Sequence, residues 1–193
     1  MTMFNHCVNH VAISVPNLEA AIEFYSKLFG FRFLRPSGLA NKEEHPQGIT
    51  WKSTFLPLPL CLSLPLDAPS QKLTRTAVYG KELNSVKMAI MTTGNSVGFE
   101  IFEFVDPPYD GKTAPLQWGP GNYAKGGWFH VAFTVPDPVA TLREAEKMGA
   151  KLVGEICSPA PGETVIYMQD PWDNVVELLS CSFEHLIMNG VAA

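Results

Sequence analysis

The amino-acid sequence predicts an α+β fold, built from two tandem βαβββ modules that form a curved mixed sheet around a metal-binding cleft. Two observations support this prediction. A strand-like segment near the start of the chain returns 120 residues later, and an acidic strand near residue 100 returns 77 residues later. Repeats of this kind indicate duplicated structural units. The chain of 193 residues is also long enough to bury a core.

The first repeated segment has the pattern of a strand followed by a helix. Asn9 to Asn17 reads NHVAISVPN, and Phe129 to Asp137 reads FHVAFTVPD. Both segments alternate their side chains as a strand does, and both end in Pro followed by a good helix-capping residue. The apolar spacing after each cap predicts an amphipathic helix, which ends at Gly30 in the first copy and at Gly149 in the second.

Further strands complete each module in the same order. They are predicted at Phe31 to Arg35, Val86 to Thr92 and the segment around Glu100, and again at Lys151 to Glu155, Thr164 to Gln169 and the segment around Glu177. One such module leaves an open sheet edge and an apolar face, which a second module can cover. We therefore expect one domain over residues 1–193.

The two repeat offsets differ, so the first module must carry a long insertion. The predicted parts are a first module at 5–105 with an insertion at 36–85, a connector at 106–127, a second module at 128–181 and a C-terminal tail at 182–193. Leucines alternate with prolines and small residues from Leu56 to Leu66 within the insertion. The prolines exclude a central strand there. Three interpretations of this segment remain: an edge segment, a dimer surface or a wall over the site.

Two histidines and two glutamates recur in register and are the candidate metal ligands. His10 and His130 occupy the same place in the opening strands, and Glu100 and Glu177 the same place in the closing strands. An unpaired carboxylate buried in an apolar strand would cost several kcal/mol. Convergence on one divalent ion (Fe, Mn, Co, Ni or Zn) explains all four residues, because imidazoles and carboxylates suit these metals. The strand alternation places Glu103 on the face opposite to Glu100.

Aromatic residues in and near the connector are candidates for substrate binding at the mouth of the cleft. They are Tyr109, Trp118, Tyr123 and Trp128. Together with the leucine-rich insertion, they favour a small oxygenated substrate of apolar or aromatic character.

Composition excludes several other classes of function. The net charge is −5 and the chain has no cluster of Lys and Arg, so nucleic acid is not an expected partner. The start of the chain lacks the pattern of a signal peptide, and prolines interrupt its most apolar stretch, so no membrane segment is expected. Four cysteines without a disulfide-type spacing favour a cytoplasmic protein.

The repeated modules resemble the vicinal oxygen chelate superfamily, which includes glyoxalases, extradiol dioxygenases and bleomycin resistance proteins. The resemblance rests on the strings HVAI from His10, FY at Phe24, LFGF from Leu28 and DPWDNVVEL from Asp170. It implies that a metal ion binds two neighbouring oxygens of the substrate and stabilises developing negative charge. It also implies that a metal-bound glutamate can move a proton.

We therefore expect an isomerase or lyase of the glyoxalase-like type, with Glu100 or Glu177 as the catalytic base. Glutathione-dependent glyoxalases carry a Thr-x-Asn run after the first glutamate, where this chain has Ile101 to Phe104. The expected substrate is thus not a glutathione adduct. An Fe(II) ring-cleaving dioxygenase and a metal-free drug- or metabolite-binding protein are the alternatives. The site is expected within one chain, and homodimer formation stays open.

Overall fold

The structure is a computed structural model that describes residues 7–41, 52–53, 82–111, 118–124 and 126–190. The leucine- and proline-rich segment Leu56 to Leu66 of the predicted insertion lies outside these residues. The chain divides into two compact units, Met1–Gly111 and Lys112–Ala193.

The first unit contains a five-stranded mixed sheet and one helix. Its elements are β1 (His10–Ser14), α1 (Leu18–Phe29), β2 (Arg32–Asn41), β3 (Lys52–Ser53), β4 (Ser85–Thr92) and β5 (Gly98–Asp106). The strands lie in the order β1-β5-β4-β2-β3. β1 runs parallel to β5, and the other neighbours are antiparallel. The opening and closing strands of the unit are therefore hydrogen-bonded neighbours.

The second unit repeats this arrangement with a four-stranded sheet. Its elements are α2 (Pro120–Tyr123), β6 (Val131–Thr134), α3 (Pro138–Lys147), β7 (Lys151–Cys157), β8 (Val165–Gln169), β9 (Val175–Leu179) and α4 (Phe183–Gly190). The strands lie in the order β6-β9-β8-β7, with β6 parallel to β9 and the other neighbours antiparallel. The predicted α+β class and the repeated βαβββ topology are confirmed.

The caps predicted for the two long helices are present. The side chain of Asn17 accepts a hydrogen bond from the backbone N–H of Ala20 at 2.9 Å, and Asp137 does the same for Ala140 at 2.9 Å. Gly30 ends α1 in the left-handed conformation with φ of 67°. A glycine suits this position because it has no Cβ to clash there.

The two long helices, α1 and α3, bury their apolar faces on their own sheets. In the first unit an aromatic cluster forms the core, and the ring centroid of Tyr25 lies 4.7 Å from that of Phe99. Phe24, Phe29 and Phe31 complete this cluster. In the second unit the fully buried core residues are Ala145, Ile166, Met168, Val176 and Leu178. Among the described residues, none of the helices has the length and apolar character needed to cross a membrane.

β2 is longer than the predicted strand Phe31 to Arg35, because it continues through Pro36 to Asn41. Its pairing with β4 shifts between Arg35 and Gly38. Proline lacks the N–H that a regular ladder needs, so the strand continues past it by breaking the register.

Candidate metal centre

The first His–Glu pair lies on the neighbouring strands β1 and β5. The parallel register places Ala12 beside Glu100, and His10 beside Gly98. His10 Nε2 then lies 3.8 Å from Glu100 Oε2. A Cβ atom on Gly98 would stand only 2.9 Å from the Cβ of His10, so a glycine at this position lets the histidine lie against the strand.

The second His–Glu pair repeats this register in the other unit. Ala132 lies beside Glu177 in the parallel pairing of β6 with β9. His130 Nε2 lies 3.2 Å from Glu177 Oε2. The side chains of the second pair are 26% and 15% exposed, against 51% and 24% for His10 and Glu100, so the second pair is more buried.

The geometry within each pair fits two adjacent ligands of a metal ion. Two adjacent ligands that each lie about 2.1 Å from an ion stand about 3.0 Å apart in octahedral geometry and about 3.4 Å apart in tetrahedral geometry. The distance of 3.2 Å between His130 and Glu177 matches this spacing. The distance of 3.8 Å between His10 and Glu100 is larger, and the half-exposed His10 ring has room to shorten it. Imidazole nitrogen and carboxylate oxygen are also the donors that first-row divalent metals accept.

The two histidine rings are held in different ways. His10 Nδ1 lies 2.7 Å from Asn9 Oδ1. An amide oxygen only accepts, so Nδ1 carries the proton and Nε2 keeps a free lone pair for a metal. His130 instead packs edge-on against Phe129 and Tyr167, with ring centroids 4.6 and 5.3 Å away. Its buried Nδ1 has no hydrogen-bond partner in the part of the chain that the structure describes.

Tyr167 is a site residue that the sequence reasoning missed. It stands directly across from Glu177 in the pairing of β8 with β9. Burial, the nearby charge of Glu177 and a hydrogen bond to that carboxylate together raise the pKa of Tyr167 to about 12. The hydroxyl group therefore stays protonated at neutral pH and donates to Glu177. The alternation of side chains along β8 places Tyr167 on the same face of the sheet as Glu177. Only the register between β8 and β9 shows that the two residues are direct neighbours.

The surroundings of Glu100 are apolar by comparison. Ile90 of β4 stands across from it, at the position that Tyr167 holds in the second unit. Ile90 belongs to an apolar cluster with the buried residues Leu83, Val86, Met88 and Phe102. Among the described residues, His10 is the polar side chain that contacts Glu100.

The four predicted substrate-binding residues lie in different environments. Trp118 packs on Tyr123, with ring centroids 5.4 Å apart, and lies 6.3 Å from the ring of Tyr167. These two residues extend the aromatic surface beside His130. The side chain of Trp128 is fully exposed. Tyr109 belongs to the first unit, where its ring covers Gly111. The substrate role of all four residues stays a prediction.

Glu103 lies on the α1 side of its sheet and supports the fold. Its Oε2 accepts the backbone N–H of Leu18 at 2.8 Å, at the start of α1. Its Oε1 lies 2.8 Å from Lys87 Nζ. A carboxylate at this end of a helix is favourable because the helix dipole is positive there.

A tight turn leads into β9 and holds Glu177 in register. The buried Asp170 accepts hydrogen bonds from the backbone N–H groups of Trp172 and Asn174 at 2.9 and 2.8 Å. Its second oxygen accepts from the Asn174 amide at 2.8 Å. Asp173 adopts a left-handed conformation with φ of 67°. The string DPWDNVVEL from Asp170 thus contains a hydrogen-bonded turn that leads into the strand of Glu177.

Comparison with known proteins identifies the family of the chain. The model of the Glyoxalase/Bleomycin resistance protein/Dioxygenase superfamily matches residues 7–178. The chain belongs to this superfamily. A search of curated proteins found no match.

Several solved structures share the fold of this superfamily member. The glyoxalase family protein of Bacillus cereus is 19% identical with a TM-score of 0.61, and the match covers 93% of this chain and 97% of that one. Glyoxalase I of Leishmania major is 15% identical with a TM-score of 0.52, and 97% and 94% are covered. The fosfomycin resistance protein FosX of Listeria monocytogenes, solved with Mn(II) and sulfate, is 12% identical with a TM-score of 0.52, and 96% and 99% are covered.

Proposed function

We propose that this protein is a metal-dependent enzyme that moves a proton between neighbouring carbons of a small oxygenated molecule, as an isomerase or lyase. The proposed ligands of one divalent ion are His10, Glu100, His130 and Glu177. One observation carries the proposal: both units hold a His–Glu pair in the same strand register, with a nitrogen and an oxygen within 3.8 Å. The Listeria monocytogenes FosX structure, which has the same fold, contains Mn(II).

The ion would act as a Lewis acid towards two adjacent substrate oxygens. The chain itself supplies the proton carrier, and we assign this role to Glu100. Glu177 receives a hydrogen bond from Tyr167, which holds it in place as a ligand. Glu100 faces apolar side chains and has only His10 as a polar contact among the described residues. A carboxylate with this freedom can take a proton from one carbon and return it to the next.

The surfaces beside the two pairs favour an apolar or aromatic substrate. Trp118, Tyr123, Phe129 and Tyr167 form a connected aromatic surface next to His130. Aromatic faces of this kind bind planar apolar groups well. Because Cys7, Cys157 and Cys181 are free thiols, we propose a cytoplasmic location for the enzyme.

The first test is the metal content of protein purified without added metal, measured by elemental analysis. We expect His130→Ala to lose one equivalent of metal relative to the wild type, while Glu155→Gln, at an exposed glutamate of β7, keeps the wild-type content. If the wild type holds no metal and binds none on titration, the four-ligand proposal is wrong, and a metal-free binding protein becomes the better reading. Iron together with oxygen consumption on catechol-type compounds would instead indicate a ring-cleaving dioxygenase.

A second test separates the two glutamates. Aryl-substituted α-hydroxy ketones in D2O would be followed by NMR for exchange of the hydrogen beside the oxygen function. Glu100→Gln should retain metal and lose exchange by about 100-fold or more, because it keeps a ligand oxygen but lacks the base. Glu177→Gln should keep exchange once it is saturated with metal, because Glu177 acts only as a ligand in this proposal. Equal exchange rates for Glu100→Gln and the wild type would contradict the assignment of Glu100.

A further inference from the structure

Three metal-ligating side chains meet at one end of the second sheet, and none of them belongs to the His–Glu pairs. Glu163 precedes β8, Cys181 follows β9 and His185 lies in the first turn of α4. Their ligand atoms all lie within 4.8 Å of one another. His185 Nε2 is already 3.3 Å from Glu163 Oε1. Glutamate, cysteine and histidine in such proximity offer a carboxylate, a thiolate and an imidazole to one ion.

The backbone around these residues is held in place by neighbouring hydrogen bonds. Ser180 links the two chain segments, because its backbone N–H donates to the carbonyl of Thr164 at 3.1 Å and its Oγ accepts from the N–H of Thr164 at 2.8 Å. The same hydroxyl group donates to Glu163 Oε2. The carbonyl of Cys181 accepts from Thr134 Oγ1 at 3.2 Å. The carboxylate and the thiol are therefore set side by side before any ion binds.

The start of α4 brings the third side chain to the same place. Ser182 precedes the helix, and its Oγ accepts the backbone N–H of His185 at 3.3 Å. The carbonyl of Ser182 accepts from the N–H of Leu186 at 3.0 Å. These hydrogen bonds orient the first helical turn, so that His185 reaches back over the sheet end towards Glu163.

We propose that Glu163, Cys181 and His185 form a second metal site, which takes zinc or another divalent ion that accepts sulfur. A thiolate ligand selects such ions over magnesium, calcium and manganese, which prefer oxygen. Three protein ligands leave the fourth tetrahedral position for water. The ion would replace the thiol proton of Cys181, so that one proton is released for each ion bound.

The present spacing is close to that of a formed site. Ligand atoms around tetrahedral zinc stand about 3.3 to 3.7 Å apart, given metal–ligand distances of about 2.0 to 2.3 Å. The side chain of His185 is 54% exposed and can move the remaining distance without disturbing the core. Binding would connect α4 to the ends of β8 and β9. The role of the ion is thus to hold the C-terminal helix on the sheet.

The test uses Co(II), because a cobalt–thiolate bond gives a charge-transfer absorption band in the near ultraviolet, which nitrogen and oxygen ligands do not give. The full chain would be stripped with a chelator and titrated with Co(II). In the wild type, we expect the intensity of this band to correspond to one cobalt–thiolate bond per chain. The band should disappear in Cys181→Ala and persist in Cys157→Ala, a matched change at an exposed free cysteine. His185→Ala should weaken Co(II) binding at this band by about 10-fold or more.

The same titration separates this site from the proposed catalytic one. His130→Ala should keep the thiolate band, whatever happens to the metal of the His–Glu pairs. Absence of the band in the wild type, or its persistence in Cys181→Ala, would overturn the proposal. Should Cys181→Ala fail to fold, the wild type still decides the matter. Zinc should slow the alkylation of Cys181 by at least 10-fold and leave the alkylation rate of Cys157 unchanged. If zinc protects neither cysteine, or protects both to the same degree, the proposed site is wrong.

Discussion

Tyr167 lies directly across from Glu177 in the antiparallel pairing of β8 with β9, and its hydroxyl group is hydrogen-bonded to that carboxylate. The equivalent neighbour of Glu100 in the first unit is Ile90. The two units therefore share their backbone register but differ in how they hold the glutamate. The carboxylate of Glu177 is hydrogen-bonded to a polar neighbour, and that of Glu100 lies against apolar side chains. This difference is the reason why we propose different roles for the two glutamates.

Removal of this tyrosine hydroxyl should weaken metal binding. We predict that Tyr167→Phe lowers the affinity for Mn(II) by about 10-fold, because partners that orient a ligand typically contribute 10- to 100-fold to metal affinity. Calorimetric titration would measure this change, and Mn(II) is chosen because a thiolate-containing site disfavours it. Tyr123→Phe, at an exposed tyrosine, is the matched control and should bind like the wild type. Unchanged affinity in Tyr167→Phe would remove Tyr167 from the site.

The repeat in the sequence predicted most of the fold and both His–Glu pairs. Residues 120 apart have the same neighbours in a duplicated unit, so the equivalence of His10 and His130 was readable without coordinates. Tyr167 was not predicted because its partner is set by the antiparallel register of β8, and strand alternation alone gives only a face. The equivalent residue in the first unit, Ile90, is apolar, so the repeat in the sequence did not indicate a site residue at this position.

Two further features of the structure, the end of β2 and a side-chain cluster in the second unit, were not predicted from the sequence. The strand after α1 was predicted to end at Arg35, yet β2 continues past Pro36 through a break in register. The cluster of Glu163, Cys181 and His185 was also missed. Its members are 18 and 4 residues apart in sequence and have no counterpart in the first unit, so only the folded chain brings them together.

A side chain at position 98 should disturb the first His–Glu pair. We predict that Gly98→Ala lowers the free energy of unfolding by about 1 to 2 kcal/mol, because the new Cβ would stand 2.9 Å from the Cβ of His10 and force a shift. Urea unfolding would measure the loss. Gly119→Ala is the matched control, since a Cβ there meets open space. If both variants unfold like the wild type, β1 accommodates the methyl group and the close approach has no structural importance.

The contact between Lys87 and Glu103 should make stability depend on alkaline pH. The hydrogen bond to Glu103 raises the pKa of the Lys87 ammonium above 10.5. Because the pKa of Lys87 is higher in the folded than in the unfolded chain, its charge stabilises the native state fully at pH values below the unfolded pKa near 10.5. This stabilisation is lost as the pH rises through the folded pKa. We predict that Lys87→Met is less stable than the wild type by about 0.5 to 1 kcal/mol near pH 8, since solvent partly screens the pair.

Denaturant unfolding at several pH values would test this prediction. The difference between Lys87→Met and the wild type should shrink above pH 10.5. The control is Lys27→Met, which breaks an exposed pair with Glu23 on α1 and should change the stability less than Lys87→Met does. A difference that stays constant across the alkaline range would mean that the lysine acts through packing of its apolar stem and not through its charge.

Complementation between variants can show whether one chain supplies all four ligands. We predict that His10→Ala and His130→Ala are each inactive in the deuterium-exchange assay, and that they stay inactive when they are mixed, unfolded and refolded together. This follows if His10, Glu100, His130 and Glu177 of one chain hold one ion, because every chain in the mixture then lacks one ligand. A site shared between two copies behaves differently. A mixed dimer would then contain one doubly altered site and one intact site, and the mixture would regain about a quarter of the wild-type activity through the statistics of pairing. Size-exclusion chromatography on the same samples would show whether dimers form, so a lack of recovery in a proven mixed dimer would assign the site to a single chain.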